Sequence, residues 1–143
     1  MTRDRLNSYR HLCREIKQLE DQLAELESRI TSPRTPKLSF MPHAKGNGYA
    51  LEAGMDRYAD LVEIYKTKLE RLYSERAAIE QAIESLEPIE RMVLRARYIE
   101  GLSWEWVAER INYSYVQTWR IHARALQKLE DEDEQASQKK SEN

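Results

Sequence analysis

The run GLSWEWVAERINYSYVQTWRIHARALQKL, residues 101–129, decides the fold that this sequence predicts. Ser103 and Ser114 are each suited to begin a helix, because a serine hydroxyl can accept a hydrogen bond from an unpaired backbone N–H. Residues 112–113 stand between the two predicted helices as a short turn. The small Ala108 permits close approach where two helices cross. This order of helix, turn and helix predicts a helix-turn-helix unit.

A supporting helix is predicted just before this run, from Pro88 to about Glu100. Proline is well tolerated in the first turn of a helix, and Gly101 is a suitable left-handed cap at the other end. The spacing directs Ile89, Val93 and Tyr98 inward from this helix. The following helix is expected to turn Trp106, Val107, Ala108 and Ile111 toward the same core.

The last helix of the run, from Ser114 to Leu129, carries no acidic residue. Its N-terminal end is the part of a recognition helix that enters the DNA major groove, so its outward residues are predicted to read bases. They are Tyr115, Val116, Gln117 and Arg120. An amide such as that of Gln117 can pair with adenine, and a guanidinium such as that of Arg120 with guanine. Trp119 is expected to contact either DNA or another protein.

Cations recur at Arg120, Arg124 and Lys128, so all three share one helix face. Ser114, Arg124 and Lys128 are therefore predicted to contact the DNA backbone, which fixes register without reading sequence. The inward face is Thr118, Ile121, Ala125 and Leu129. The alternative for this helix is a solvated surface in an all-helical adaptor.

Two long helices are predicted ahead of this unit, at about residues 3–31 and 51–86. Apolar residues recur on each at alternating steps of three and four, which is the spacing of a coiled-coil seam. The predicted fold class is all-α, a long helical hairpin or coiled coil followed by a helix-turn-helix domain. Residues of the second helix are assigned to oligomerisation: Val62, Tyr65, Leu69, Leu72, Arg76, Ile79 and Ile83.

Three domains follow from these patterns. Residues 1–86 form the helical oligomerisation region, with an irregular linker at 32–50 that holds Pro, Gly and several basic residues. The linker is either a flexible connector or a basic arm. Residues 87–129 form the helix-turn-helix domain. Residues 130–143 are predicted to be an acidic disordered tail, because they open on five consecutive carboxylates and contain no apolar run.

The length, charge and composition of the chain limit the classes of function that it can have. The chain has 143 residues and a formal charge of −2, so any basic surface must be local. It has one cysteine, Cys13, and no apolar run of membrane-spanning length, which predicts a cytoplasmic protein without a membrane role. The three histidines are scattered and no metal-ligand spacing occurs, so neither an enzyme nor a metal or cofactor site is expected.

A resemblance adds to this interpretation. The segments 102–109, 113–114 and 120–129 resemble the promoter-reading C-terminal domain of the major bacterial sigma factors. The whole chain is similar to small phage regulators of the RinA/ArpU type, which share a run like residues 97–104, Arg-Tyr-Ile-Glu-Gly-Leu-Ser-Trp. The close likeness covers about residues 86–129, and the N-terminal likeness is one of pattern.

The resemblance implies a phage-type, sequence-specific transcription regulator, an activator of late genes acting in the cytoplasm of a bacterial host. Its partners would be double-stranded DNA, a second copy of the chain and RNA polymerase. Positions that are commonly charged in sigma factors are Tyr115, Val116, Gln117 and Trp119 here, which implies a target other than the sigma consensus. Two other functions stay open: a DNA-recognition subunit for phage packaging, similar to a small terminase, and a helical adaptor that binds no DNA.

Overall fold

The computed structural model describes residues 1–31 and 48–143, with side chains described for residues 1–31 and 56–143. These ranges contain helices and turns but no strand, which confirms the predicted all-α class. The helices are α1 (Arg3–Thr31), α2 (Gly48–Glu84), α3 (Pro88–Leu94), α4 (Trp104–Ile111) and α5 (Tyr115–Ser141). A π-helical turn, Arg95–Ile99, continues α3. Residues 32–47 of the predicted linker 32–50 lie outside the described residues. Residues 48–50, which were predicted to be irregular, belong to α2 instead.

The described chain forms two compact units, and neither coincides with a predicted domain. Residues 15–73 form one, the hairpin unit, and residues 1–14 with 74–143 form the other, the reader unit. The predicted boundary at residues 86–87 therefore falls inside the reader unit. The reason is that a helix-turn-helix of this size has a small core, and the first residues of α1 and the last turns of α2 enlarge it.

The hairpin unit pairs the later part of α1 with α2 in antiparallel directions. Lys68 Nζ lies 3.3 Å from Glu15 Oε1, and Lys66 Nζ lies 3.5 Å from Glu27 Oε1. The seam between the two helices buries Ile16, Leu19, Leu69 and Leu72. A hairpin seam of this kind is one of the two arrangements that the alternating steps of three and four predicted, the other being a coiled coil between chains.

The residues assigned to oligomerisation lie mainly inside the single chain. Leu69 and Leu72 are buried in the hairpin unit, and Ile79 and Ile83 are buried in the reader unit. The other three are half-buried: Val62, Tyr65 and Arg76. The apolar stripe thus has an intrachain use, and its role in a subunit interface stays a prediction.

The reader unit has a core that joins α3, α4 and α5. Val93, Ala96, Val107, Ile111 and Ile121 form this cluster, with Ile89, Leu102 and Trp104 packed against it. Beside it, the start of α1 and the end of α2 bury apolar residues of their own: Leu6, Tyr9, Leu12, Ile79, Ile83 and Leu86. The Tyr9 hydroxyl also donates a hydrogen bond to the Glu80 carboxylate.

The acidic tail is not disordered, so that prediction was wrong. Helix α5 continues to Ser141. Residues 130–141 contain neither Gly nor Pro, and their Glu, Gln, Ala and Lys residues have good helix propensity. The N-terminal amine of Met1 adds tertiary contacts, because it donates to the Leu129 carbonyl at 3.1 Å and pairs with the Asp133 carboxylate.

The seam can be tested by removing one of its side chains. Because Leu69 is 4% exposed, Leu69→Ala should lower the free energy of unfolding by about 2–5 kcal/mol, through lost burial and the cavity left behind. Ile64→Ala is the matched control, since Ile64 lies on the same helix and is 59% exposed; its cost should stay within about 0.5 kcal/mol. Urea unfolding followed by circular dichroism measures both. Equal losses would contradict this placement of the seam.

Candidate nucleic-acid interface

Residues at the end of α4 determine the conformation of the turn between α4 and α5. Asn112 ends α4 in the left-handed conformation at φ 61°, which asparagine tolerates better than most residues. The Tyr113 N–H then donates to the Ala108 carbonyl at 3.1 Å and closes the turn. At the other end of α4, the Ser103 hydroxyl accepts from the Trp106 N–H, as predicted for a cap.

Helix α5 begins with a reciprocal pair of hydrogen bonds between Ser114 and Gln117. The Gln117 N–H donates to Ser114 Oγ at 3.2 Å, and the Ser114 N–H donates to Gln117 Oε1 at 3.1 Å. This capping box satisfies two backbone donors at once. The Gln117 amide, predicted to read adenine, is thus folded back against its own helix start. A bidentate contact with adenine would compete with the Ser114 N–H for the Gln117 carbonyl oxygen.

The remaining predicted base readers are at the surface. Tyr115 is 47% exposed and Val116 is 57% exposed. Arg120 is exposed one turn further along and forms no ion pair with the residues that the structure describes. The structure therefore presents two apolar side chains and one cation on the first two turns of α5.

Two further aromatic residues are exposed on the reader unit, and the sequence interpretation did not assign either of them to its surface. Trp106 is 60% exposed, although it was expected to face the core, and Tyr113 is 45% exposed. Trp104 is the tryptophan that packs inward from α4. The choice between two tryptophans two positions apart depends on a partner from α5, which no local pattern indicates.

That partner is Trp119, which stacks on Trp104 with ring centroids 4.4 Å apart. Trp119 also meets His122 edge-on at 5.4 Å, and the Arg97 guanidinium carbon lies 4.9 Å from the Trp104 ring centroid. Trp119 is half-buried in this cluster. Its predicted role as a contact for DNA or protein is therefore limited to the part of the ring left at the surface.

His122 is a buried polar member of the same cluster. It is 2% exposed, and its Nε2 lies 2.7 Å from the Tyr98 hydroxyl. Burial lowers the pKa of His122 from 6.5 to about 4, and the positive charges of Arg3 and Arg97 contribute in the same direction. The imidazole is consequently neutral at pH 7. It serves as a hydrogen-bonding core residue of α5.

The cations predicted to contact the DNA backbone surround a buried carboxylate. The side chain of Glu90, on α3, is 0% exposed. Its Oε1 accepts from Arg124 Nε at 3.1 Å and from Lys128 Nζ at 2.8 Å, and its Oε2 accepts from the Glu87 N–H at 3.3 Å. Burial raises the pKa of Glu90, but the hydrogen bonds from Lys128, Glu87 and Arg124 outweigh it and the pKa lies below 4.5.

This arrangement orients Arg124 without covering it. Its side chain remains 55% exposed, and the bond to Glu90 uses Nε, which leaves both Nη atoms for another acceptor. Lys128 is 40% exposed and also lies 3.8 Å from Glu87. Ser114 is exposed at the N-terminus of α5, where its N–H and hydroxyl belong to the capping box. The predicted backbone contacts stay predictions, with an orienting partner now assigned to two of them.

Comparison with known proteins bears on this segment. Residues 82–131 match the family model for Sigma-70, region 4. The match runs from the end of α2 through α3 and α4 into α5, and it identifies a sigma-like helix-turn-helix. No curated protein and no solved structure shows significant similarity to the chain.

None of the described helices is long and apolar enough to cross a membrane. Among residues 1–31 and 48–143, as far as their side chains are described, no group of three or more His, Cys, Asp or Glu residues is placed to hold a metal ion. Cys13 is half-buried on α1.

The buried histidine predicts a pH dependence of stability. Because the folded protein holds the pKa of His122 near 4 while the unfolded chain has 6.5, the unfolded state binds the proton first. The free energy of unfolding should therefore fall as the pH drops from about 6.5 to about 4, by on the order of 3 kcal/mol. Unfolding measured at several pH values should show this fall in the wild-type protein and not in His122→Gln. His11→Gln, at an exposed position on α1, should keep it, and a fall shared by all three proteins would rule out His122 as its source.

Proposed function

We propose that this protein is a sequence-specific, double-stranded-DNA-binding transcription regulator that reads the major groove with the first two turns of α5. The observation that carries the proposal is the exposed face of Tyr115, Val116 and Arg120 at the start of the second helix of a sigma-like helix-turn-helix. Helices in this position enter the major groove with their N-terminal residues on the base edges. We propose binding as the function, and the proposal includes no catalytic step.

The wider biological setting belongs to the same proposal. The likeness to RinA/ArpU-type phage regulators supports a late-gene activator that works with RNA polymerase in the bacterial cytoplasm. We propose a homodimer, since a helix-turn-helix regulator commonly binds two half-sites one helical turn apart. A packaging subunit would instead assemble into a ring of many copies, so mass measurement in solution separates the two. Capture of pooled genomic fragments by the full-length protein would then identify promoter or packaging sites.

Arg120 is the residue whose replacement tests groove docking most directly. Arg120→Ala should lose about 1–3 kcal/mol of preference for guanine at one base pair, because a guanidinium can bond guanine O6 and N7 together. Arg120→Lys is the matched control: it keeps the charge and loses the planar fork. It should retain binding to a scrambled duplex while the guanine preference falls. Binding-site selection followed by anisotropy titrations measures both quantities. If both variants keep the wild-type base preference, α5 does not read the bases.

The apolar pair Tyr115 and Val116 predicts contact with thymine methyl groups, which are the apolar feature of the major groove. Replacing thymine by deoxyuridine in the selected site removes only that methyl group. Wild-type affinity should fall about two- to tenfold at the contacted position, and Val116→Ala should show a smaller difference between the two duplexes. Deoxyuridine at a flanking position is the control. Indifference to deoxyuridine throughout the site would exclude methyl contacts.

A further inference from the structure

A second polar site lies on the reader unit, and its lining includes no residue of α5. It is a pocket of about 210 Å³ lined by Asn7, Arg10, Arg97, Tyr98 and Gly101. Asn7 and Arg10 come from α1, and the other three come from the π-helical turn and the turn before α4. The pocket thus joins the first helix of the chain to the entrance of the helix-turn-helix.

Gly101 makes room for one of the two guanidinium groups. A Cβ atom at this position would lie 2.3 Å from Arg10 Nη1, closer than real contacts allow. Gly101 also has φ +75°, which few residues with a side chain adopt. The Arg10 guanidinium therefore lies directly over the backbone of this turn, in space that another residue would fill.

The second guanidinium, that of Arg97, is held by contacts that include no carboxylate among the described residues. Arg97 Nη1 donates to the Leu102 carbonyl at 2.8 Å, and its guanidinium carbon stacks over Trp104. Neither Arg10 nor Arg97 forms an ion pair with a residue that the structure describes. Glu100, the carboxylate adjacent to Gly101 in sequence, pairs with Arg110 instead.

Four other cations of the same unit are paired with carboxylates. Arg124 and Lys128 share Glu90, and Arg91 and Arg95 share Glu84. The pocket lining contains two arginines, an amide and a phenol but no carboxylate. Arg3 adds a further positive charge nearby, since it acts together with Arg97 on the pKa of both Tyr98 and His122. The pocket is therefore a concave, positively charged site.

We propose that this pocket binds a phosphate group. Paired guanidinium groups suit a phosphate because each offers several N–H donors in a planar fork, and the Asn7 amide supplies another donor at the rim. The phosphate belongs either to a DNA backbone or to a small phosphorylated molecule. In both cases it would bridge α1 to the turn that begins α4 and hold the helix-turn-helix against the start of the chain.

Inorganic phosphate is the first probe. Titration calorimetry and thermal unfolding of the full-length protein, with chloride at equal ionic strength as reference, should detect binding to the wild type. Arg10→Ala should weaken that binding at least tenfold. Arg14→Ala is the matched control, because it removes the same charge one turn further along α1 and outside the pocket lining. It should bind phosphate as the wild type does.

DNA is the second probe, and it separates the two sources of phosphate. If a backbone phosphate occupies the pocket, Arg10→Ala should reduce the log–log salt slope of DNA binding by about 0.9 per contact, and Arg14→Ala should leave the slope unchanged. Phosphate binding that depends on Arg10, together with an unaltered slope, assigns the pocket to a small phosphorylated molecule. The proposed phosphate site is overturned if Arg10→Ala changes neither phosphate binding nor the salt slope. It is also overturned if Arg10→Ala and Arg14→Ala have equal effects. If the wild-type protein binds no DNA, the proposed function is overturned, while the phosphate titration still tests the pocket independently.

Discussion

The buried carboxylate of Glu90 is the constraint on which the reader unit depends. A charge removed from water is costly unless it is paired and hydrogen-bonded, and Glu90 has both kinds of partner. Its partners Arg124 and Lys128 lie 34 and 38 residues further along the chain, so the ion pairs tie α3 to α5. The Glu87 N–H ties the same carboxylate to the start of α3. Rotation of α5 about its axis would leave the charge buried without its cations, and this cost fixes which face of α5 reaches the surface.

The rest of the unit follows from that orientation. With Arg124 and Lys128 directed at Glu90, Thr118, Ile121, Ala125 and Leu129 point into the core, where all four are buried. Trp119 then meets Trp104, and the stack of the two rings decides that Trp104 faces inward from α4 and Trp106 outward. The first two turns of α5 keep Tyr115, Val116 and Arg120 outside. The surface proposed to read DNA is thus a consequence of how the core is fixed.

Features that depend on neighbouring residues were predictable from the sequence. The caps at Ser103 and Ser114 and the helix start at Pro88 are local, and the structure has all three. Features that depend on distant partners were not. Helical spacing indicates that Arg124 and Lys128 share a face, but it does not place Glu90 opposite them. The helix beyond Leu129 also has distant partners, since Met1 contacts both Leu129 and Asp133. Gln117 is an exception among the local features. Serine followed three residues later by glutamine is the pattern of a capping box, yet the Gln117 amide was predicted to contact bases in the groove.

The distribution of charge bears on how such a surface would discriminate among DNA sites. Arg110, Arg124 and Lys128 are each paired with a carboxylate of the same unit, which reduces the net positive charge that α4 and α5 present. Binding to arbitrary DNA depends mainly on phosphate neutralisation, so it should be weak here. Base contacts from Tyr115, Val116 and Arg120 would then make up a larger share of the affinity for a cognate site. A regulator must find few sites among very many, so the ratio of specific to non-specific affinity matters more than either value alone. Pairing the cations with carboxylates of the same unit lowers the non-specific affinity and therefore raises that ratio.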